Sequence, residues 1–448
     1  MMKQENLVVF AHVEDEFVPA GLLTLHEENT HVVASEFSYG TKYLTRQHAL
    51  EVDPVSLSIA DKSAVRQKKI LPVDGLKMFG GIRDASPDAW GRRVIEAKLK
   101  AKANDLPEST YLLEAGSNRI GALDVRADIK ALPTDGCQST ADLQYLLEAA
   151  ERIEEGEDIP ASLEAIFEAG ASLGGARPKA TIRDEQGILW LAKFQSRDER
   201  LNVPEIETAT MKLASLCGMT VPDVQFIKVG DRDVMLIRRF DRYWLDTKEK
   251  YSSLADVVVN QPDEHRLTER RLHFVSGLTM LACDEIQSRE KSYGDLAQGI
   301  RRYCHHSVIR ENNRELFTRM VYNIFVSNDD DHPRNHGFLW DPYIGGWRLS
   351  PLYDVMPRPT RATDRFLFLG VGQEGRSATL DNAISAKEMF NLSVQDATSI
   401  IADVWERVRE WKTYFEEFGT STKSIEQAEN AFRHIDHIST SRLRAGLP

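Results

Sequence analysis

Apolar residues between positions 7 and 37 fall into short alternating runs, LVVFAHV and then GLLTLHEENTHVVASEF, with polar HEEN between two apolar stretches. Period-two alternation interrupted by turn residues predicts a small antiparallel sheet. At SPDAWGRRVIEAKLKA the pattern changes to a helix opening at Ser86, with Ser86 as cap, Pro87 at the first helical position and Asp88 at the positive end of the dipole. The turn-rich LPTDGCQST, from Leu132, sets a soft boundary near residue 130.

The order of elements from about 165 to 245 is more specific. A Gly-rich turn, SLGGARPK from Ser172, leads into KATIRDEQGILWLAKF, two short strands joined by DEQG, with Lys193 near the end of the second. A helix follows in EIETATMKLASLCG, with Ala209, Leu213, Leu216 and Cys217 on its apolar face and Gly218 as its stop. Two further strands, VQFIKVG and DVMLIRRF, run into a basic stretch expected to be exposed. This succession of loop, strand, strand with Lys, helix with Glu, strand, strand and connector is the order of a kinase small lobe. Beyond Asp241 the pattern is mostly helical. ENNRELFTRMVYNIFVSN carries Leu316, Phe317, Met320, Val321, Ile324 and Phe325 at helical spacing, and SVQDATSIIADVWERVREWKTYFEEFG runs from the capping pair Ser393 and Asp396 to Gly419. The reading is an α+β chain of three parts, 1–130, 131–241 and a helical 242–448.

Composition narrows the setting. With 42% hydrophobic and 28% charged residues, the chain has material for two or three cores. Its apolar runs, such as Val321 to Ser327, are far shorter than the roughly 20 residues of a membrane span. The start, MMKQENLVVF, lacks a signal-peptide pattern, so a cytoplasmic protein without a membrane partner is expected. Cys137, Cys217, Cys283 and Cys304 are too widely spaced for a metal or disulfide framework and read as free buried thiols. A net charge of −13 excludes a surface-wide nucleic-acid binder, so any DNA contact is local or passes through a partner.

The stretch that carries chemistry is NDDDHPRNHGFLWDPYIGGWRLSPLYDV, Asn328 to Val355. Asp330 and Asn335 have the DxxxxN spacing that joins a kinase base to a metal-binding Asn, and a strand, turn and strand return Asp354 beside them. Phosphoryl transfer must neutralise a triphosphate, hold Mg²⁺ with hard oxygens, orient a hydroxyl and accept its proton. Asn335 and Asp354 supply the oxygens, Asp330 the base, Lys193 the charge on the α- and β-phosphates, and the Gly-rich turn its backbone N–H groups. Glu207, fourteen residues after Lys193, is placed to hold that Lys. Each feature has a blander reading. Three aspartates before His-Pro are most often a solvated loop or cap, paired glycines a turn, a strand Lys a surface residue, and a helix-start Glu an answer to the dipole. Their joint order and spacing are what independent structural roles do not explain. His332 and His336 stand four apart but lack an HExxH Glu and flank Pro333, and Cys304-His305-His306 has no second ligand cluster, so neither is read as zinc.

These motifs resemble the HipA family of bacterial toxin kinases over nearly the whole chain. The matching segments are FSYGTKYL, DASPDAWGRR, NRIGALDV, SLGGARPK, WLAKF, the Glu207 helix ending LCGMTVP, RRFDR, DDHPRN and SPLYDV. The resemblance implies a protein-kinase-like bilobal α+β fold with an extra N-terminal subdomain and a mostly helical C-terminal lobe. It implies an ATP- and Mg²⁺-dependent serine/threonine protein kinase acting as a toxin, with a translation protein such as an aminoacyl-tRNA synthetase as target and growth arrest as outcome. Carried over, the ATP loop is Gly174, Gly175, Ala176, Arg177, Pro178 and Lys179, the phosphate Lys is Lys193 with Glu207, and the adenine connector is Arg238, Arg239 and Phe240. The nucleotide site is completed by His332, Arg334, Asn335, Tyr353 and Asp354, with Asp330 catalytic and Asn335 and Asp354 on the metal. Ser172 matches the loop serine that family members autophosphorylate. The implied partner is a HipB-like helix-turn-helix antitoxin through which operator DNA is bound. The chain departs from eukaryotic kinases in having LYDV where they have DFG, and no GxGxxG or HRD. Within the family pattern, RRF stands where some members begin with an acidic residue. Two other readings are a small-molecule phosphotransferase, for which no acidic substrate pocket is located, and a non-catalytic corepressor, which has no need of Lys193, Asp330, Asn335 and Asp354 together.

Overall fold

The alternating N-terminal runs pair as one antiparallel sheet in a computed structural model that describes residues 2–134, 138–139, 142–171, 175–196, 199–246 and 267–448. The strands β1 (Met2–Val13), β2 (Glu16–Glu28), β3 (His31–Tyr39) and β4 (Leu123–Arg126) lie in the order β3-β2-β1-β4. The reversal after β2 falls on Asn29, whose φ of +56° is a left-handed conformation that asparagine tolerates. Leu23, Leu25 and Phe37 point inward and bury against Phe79 and Ile82.

The next helix opens later than its capping pattern predicts. It spans Ala89–Leu99 with Asp88 at the N-cap. Ser86 instead donates its hydroxyl to Glu108 Oε1 at 2.6 Å, because a charged acceptor outcompetes a local backbone contact. Trp90 and Val94 from this helix enter a second core with Leu146 and Ile153 of the helix Leu143–Glu155 and Ile182, Trp190 and Leu236 of a five-stranded sheet. That sheet comprises β5 (Gln138–Ser139), β6 (Lys179–Arg183), β7 (Leu189–Phe194), β8 (Val224–Val229) and β9 (Arg232–Arg238), ordered β5-β6-β7-β9-β8. The helix Val203–Leu216 packs Ile206, Met211, Leu213 and Ala214 into the largest core, but Leu216, predicted on its apolar face, is 43% exposed in the last turn.

The connector after β9 is not the exposed stretch its charges suggest. Arg238 and Arg239 are under a tenth exposed, and Asp241 and Arg242 are fully buried. Asp241 accepts from Arg239 Nε at 2.8 Å, Arg239 Nη2 at 2.7 Å, Arg242 Nη1 at 2.5 Å and the Gly121 N–H at 2.7 Å. Arg239 and Arg242 also reach the Arg119 carbonyl, both at 2.9 Å. Burial alone would raise the Asp241 pKa, but the two guanidiniums hold it well below the usual carboxylate range. Paired in this way, charge becomes a joint between the N-terminal segment and the sheet. A two-stranded ribbon of β10 (Arg242–Asp246) and β11 (Leu267–Arg271) follows.

The remainder is mostly helical, and its core gathers the helices Tyr293–Tyr303, Ile309–Val326 and Val394–Val408. Ser393 and Asp396 form the expected capping box. The single helix predicted to run to Gly419 breaks after Val408, however, and restarts as Trp411–Glu417. The break lets Trp411 stack on Phe432 with ring centroids 3.9 Å apart. Among the described residues no helix is long and apolar enough to cross a membrane, and Cys217, Cys283 and Cys304 are buried free thiols, whereas Cys137 lies outside them.

The helix Ile309–Val326 ends at Ser327 in a left-handed turn, φ +53°, and releases the chain into the loop that precedes Gly337. The strands β12 (Phe274–Ser276), β13 (Gly337–Asp341) and β14 (Gly346–Leu349) form a small antiparallel sheet below that loop. Gly337 has to be glycine, since a Cβ there would lie 2.3 Å from the Phe274 ring and 2.8 Å from Ser350 Oγ. The loop is pinned from beneath by Asp331, buried, with Oδ1 accepting the Phe368 N–H at 2.7 Å. Burial pushes the Asp331 carboxyl up to about 7. An acid whose folded pKa is raised favours the native state while protonated, and that contribution is lost as pH rises from about 4 towards 7, at no more than ~1.4 kcal/mol per pH unit. Asp331→Asn should therefore gain melting temperature relative to the parent as pH is raised from 5 to 8; a difference independent of pH would show that Asp331 is not buried neutral.

Candidate functional site

Lys193 stands near the end of β7 and is only 7% exposed, so its ammonium needs fixed countercharge. Two carboxylates provide it. Nζ lies 2.5 Å from Glu207 Oε1 and 2.8 Å from Asp354 Oδ1. Burial would lower the lysine pKa, but Asp354 and Glu207 together reverse this and hold it above its ordinary value. The Lys193 charge in turn keeps Asp354, whose side chain is about half exposed, well below the usual carboxylate range. Glu207 reaches the lysine from the helix Val203–Leu216, and Asp354 does so from a residue with φ of +58° just beyond the β13-β14 hairpin.

A second lysine lies opposite the first. Lys179 of β6 pairs in register with Lys193, is itself 7% exposed, and is pushed down to about 8 by burial and then by its neighbour's charge. Before it, Gly175 adopts φ +79°, its N–H donating to Asp88 Oδ2 at 3.1 Å and its carbonyl accepting from the Trp90 N–H at 2.9 Å. The start of the helix Ala89–Leu99 thus grips this turn from both sides.

On the opposite wall, Asn335 Nδ2 donates to the Asp330 carbonyl at 2.8 Å. Its amide nitrogen is committed, which leaves Oδ1 as the atom to offer a ligand. Asp330 is half-exposed, with Oδ2 2.8 Å from Arg358 Nη2. Asp88, Gly175, Lys179, Lys193, Asp330, Asn335, Asp354 and Arg358 surround one cavity of about 490 Å³. Its apolar side comprises Ile120, Leu191, Ile237, Phe240, Phe274 and Met356, with the Phe240 ring 5.6 Å from Tyr353.

Of the residues singled out from sequence, Gly175, Ala176, Arg177, Lys179, Lys193, Arg238, Arg239, Phe240, Asp330, His332, Arg334, Asn335, Tyr353 and Asp354 line this cavity. Glu207 sits behind Lys193, and Pro178 lies behind the turn with its carbonyl accepting the Phe194 N–H at 3.0 Å. Arg177 is turned toward Glu199 at 2.8 Å and Glu207 at 4.0 Å, and Arg238 toward Asp223 at 3.2 Å. Arg334 is held by Glu285, and Tyr353 donates its hydroxyl to the Arg334 carbonyl at 2.6 Å. Ser172 and Gly174 lie outside the described residues. Sequence reading missed Asp84, Asp88, Arg358 and the apolar wall apart from Phe240. Leu191 was within reach, because it shares a strand face with Lys193 and pairs with Ile237.

Chemically, one wall presents ammonium groups, and the other presents an ionised carboxylate, an amide oxygen and a second carboxylate. The donor set of Asp354 and Asn335 suits a hard divalent cation, and the lysines suit phosphate.

Comparison with known proteins bears on the family and the fold. The profile of HipA-like C-terminal domains matches residues 171–412. The serine/threonine-protein kinase toxin HipA of Shewanella oneidensis is 24% identical over 164 residues, covering 34% of this chain and 33% of that protein. A putative kinase of Haemophilus influenzae is 27% identical over 231 residues, covering 47% of this chain and 61% of that one. The chain therefore matches less than two thirds of the length of either relative. A solved structure of the Shewanella oneidensis toxin–antitoxin system HipA, HipB and operator DNA superposes on 94% of this chain and 94% of its own, with a TM-score of 0.62 and 15% identity, and shows the same α+β fold. On the profile match to more than half its length, the chain belongs to the HipA-like C-terminal domain family.

Proposed function

We propose that the protein is an ATP- and Mg²⁺-dependent protein kinase of the HipA type, transferring the γ-phosphoryl group of ATP to a serine or threonine hydroxyl of a protein. The observation that carries this reading is the buried Lys193 held between Glu207 and Asp354 at the wall of a cavity shared with Asp330 and Asn335. In this reading the apolar wall of Leu191, Ile237 and Phe240 takes the adenine, and Lys193, kept in place by Glu207, takes the α- and β-phosphates. Mg²⁺, when bound by Asp354 and Asn335 Oδ1, supplies positive charge against the triphosphate. Asp330 accepts the proton of the substrate hydroxyl as its oxygen bonds to the γ-phosphorus and the bond to the bridging oxygen of ADP breaks.

The biological setting is proposed from the resemblance to the HipA family: a cytoplasmic toxin held by a HipB-like helix-turn-helix antitoxin, with a translation protein such as an aminoacyl-tRNA synthetase as target and autophosphorylation at Ser172 as an off-switch. Phosphate on Ser172, beside the phosphate-binding turn, would add about −1.5 to −2 charges against ATP. A net charge of −13 supports the view that operator affinity resides chiefly in the antitoxin.

Two experiments test this. With γ-labelled ATP, the parent protein should label a protein substrate in a lysate and the peptide containing Ser172. Asp330→Asn should cut the rate about 10²–10⁴-fold with MgATP affinity retained, whereas Asp354→Asn should also weaken MgATP binding by about tenfold or more. Near-parental turnover in Asp330→Asn would remove the base from the account. In gel-shift titrations of operator DNA, the kinase alone should give no specific complex, the antitoxin one complex, and both together a slower species; tight operator binding by the kinase alone would contradict the division of labour.

A further inference from the structure

Arg358 contacts Asp330 but has no part in the chemistry just described. Its Nη2 lies 2.8 Å from Asp330 Oδ2 and its Nε 3.0 Å from Asp329 Oδ1. Its backbone N–H donates to the Ser327 carbonyl at 3.2 Å, and Ser327 is itself fastened by its hydroxyl to the Ala431 carbonyl at 2.6 Å. One residue of the segment after Asp354 thus holds three positions of the loop that carries Asp330. Both Arg358 and Asp330 are about half-exposed and line the cavity. An exposed ion pair of this kind contributes little to folding, so stability does not account for it.

Its geometry accounts for something else. Adjacent carboxylates on Asp329 and Asp330 repel, and a guanidinium fork bound to both removes that repulsion while fixing the Asp330 side chain. The Asp330 backbone is held by Asn335 through its carbonyl, and its Oδ2 by Arg358. Among the described residues Oδ1 has no hydrogen bond and is left for an incoming hydroxyl. We propose that Arg358 is a positioning residue for phosphoryl transfer, acting through Asp330 by setting which carboxylate oxygen faces the substrate. The inference rests on the kinase reading, in which catalysis is almost entirely positioning, so a freed Asp330 rotamer lowers the rate with little effect on nucleotide binding.

The test uses the full chain with MgATP and labelled phosphoryl transfer. Arg358→Ala should lower kcat about 10–100-fold with the KM for ATP within about threefold of the parent and a melting temperature within ~2 °C. Added methylguanidinium should restore part of the Arg358→Ala rate and leave the parent and Asp330→Asn unchanged. Arg358→Lys, which keeps a charge, should fall between, and it serves as the second variant if the alanine form folds poorly. A kcat within twofold of the parent would overturn the proposal, as would a kcat above it, which would make Arg358 a latch. So would a loss that methylguanidinium does not relieve. Absence of transfer by the parent protein would instead overturn the kinase reading itself.

Discussion

The site depends on burying one ammonium group. Lys193 is taken almost wholly out of water, and that is tolerable only because Glu207 and Asp354 approach it from two different parts of the chain. Removing Glu207, the buried partner, would leave the lysine paired only with the half-exposed Asp354. The requirement therefore sets where the helix Val203–Leu216 and the chain beyond the β13-β14 hairpin must stop relative to β7. It also fixes protonation, with the lysine kept charged and Asp354 kept ionised, the states that phosphate and a divalent cation require.

A second constraint joins the N-terminal segment to this centre. Residues 88–90 hold Gly175 through both its N–H and its carbonyl, and the Trp90 indole donates to the Lys179 carbonyl at 2.8 Å. Asp241, with Arg239 and Arg242, binds the carbonyl of Arg119 and the N–H of Gly121. Asp84 accepts from Ser276 and Thr279 beside the cavity. The segment before the HipA-like C-terminal domain is thus built into the walls of the cavity.

Much of this was legible in the sequence. The kinase-like α+β fold followed from the order of alternating and helical periods, and the shared fold with HipA supports it. The placement of Lys193, Asp330, Asn335 and Asp354 around one cavity, with Glu207 behind the lysine, followed from their order and spacing. What escaped reading were contacts between distant parts of the chain. Asp88 meets Gly175 across 87 positions and Arg358 meets Asp330 across 28, with no local periodicity to announce either. The stretch after Arg238 was misread because runs of charge normally signal solvent, and only the fold reveals that Asp241 is their common partner. Ser86 was misread for a related reason, its distant carboxylate partner being invisible to a capping rule.

The most direct measurement of the central claim is a crystal structure of the protein with Mg²⁺ and a non-hydrolysable ATP analogue. The account predicts that Lys193 keeps Glu207 and exchanges Asp354 for the α- and β-phosphates, that Asp354 and Asn335 Oδ1 share the metal, and that the adenine lies against Leu191 and Ile237. A nucleotide bound elsewhere, or one bound here with Lys193 still paired to Asp354 and no metal at Asn335, would contradict it.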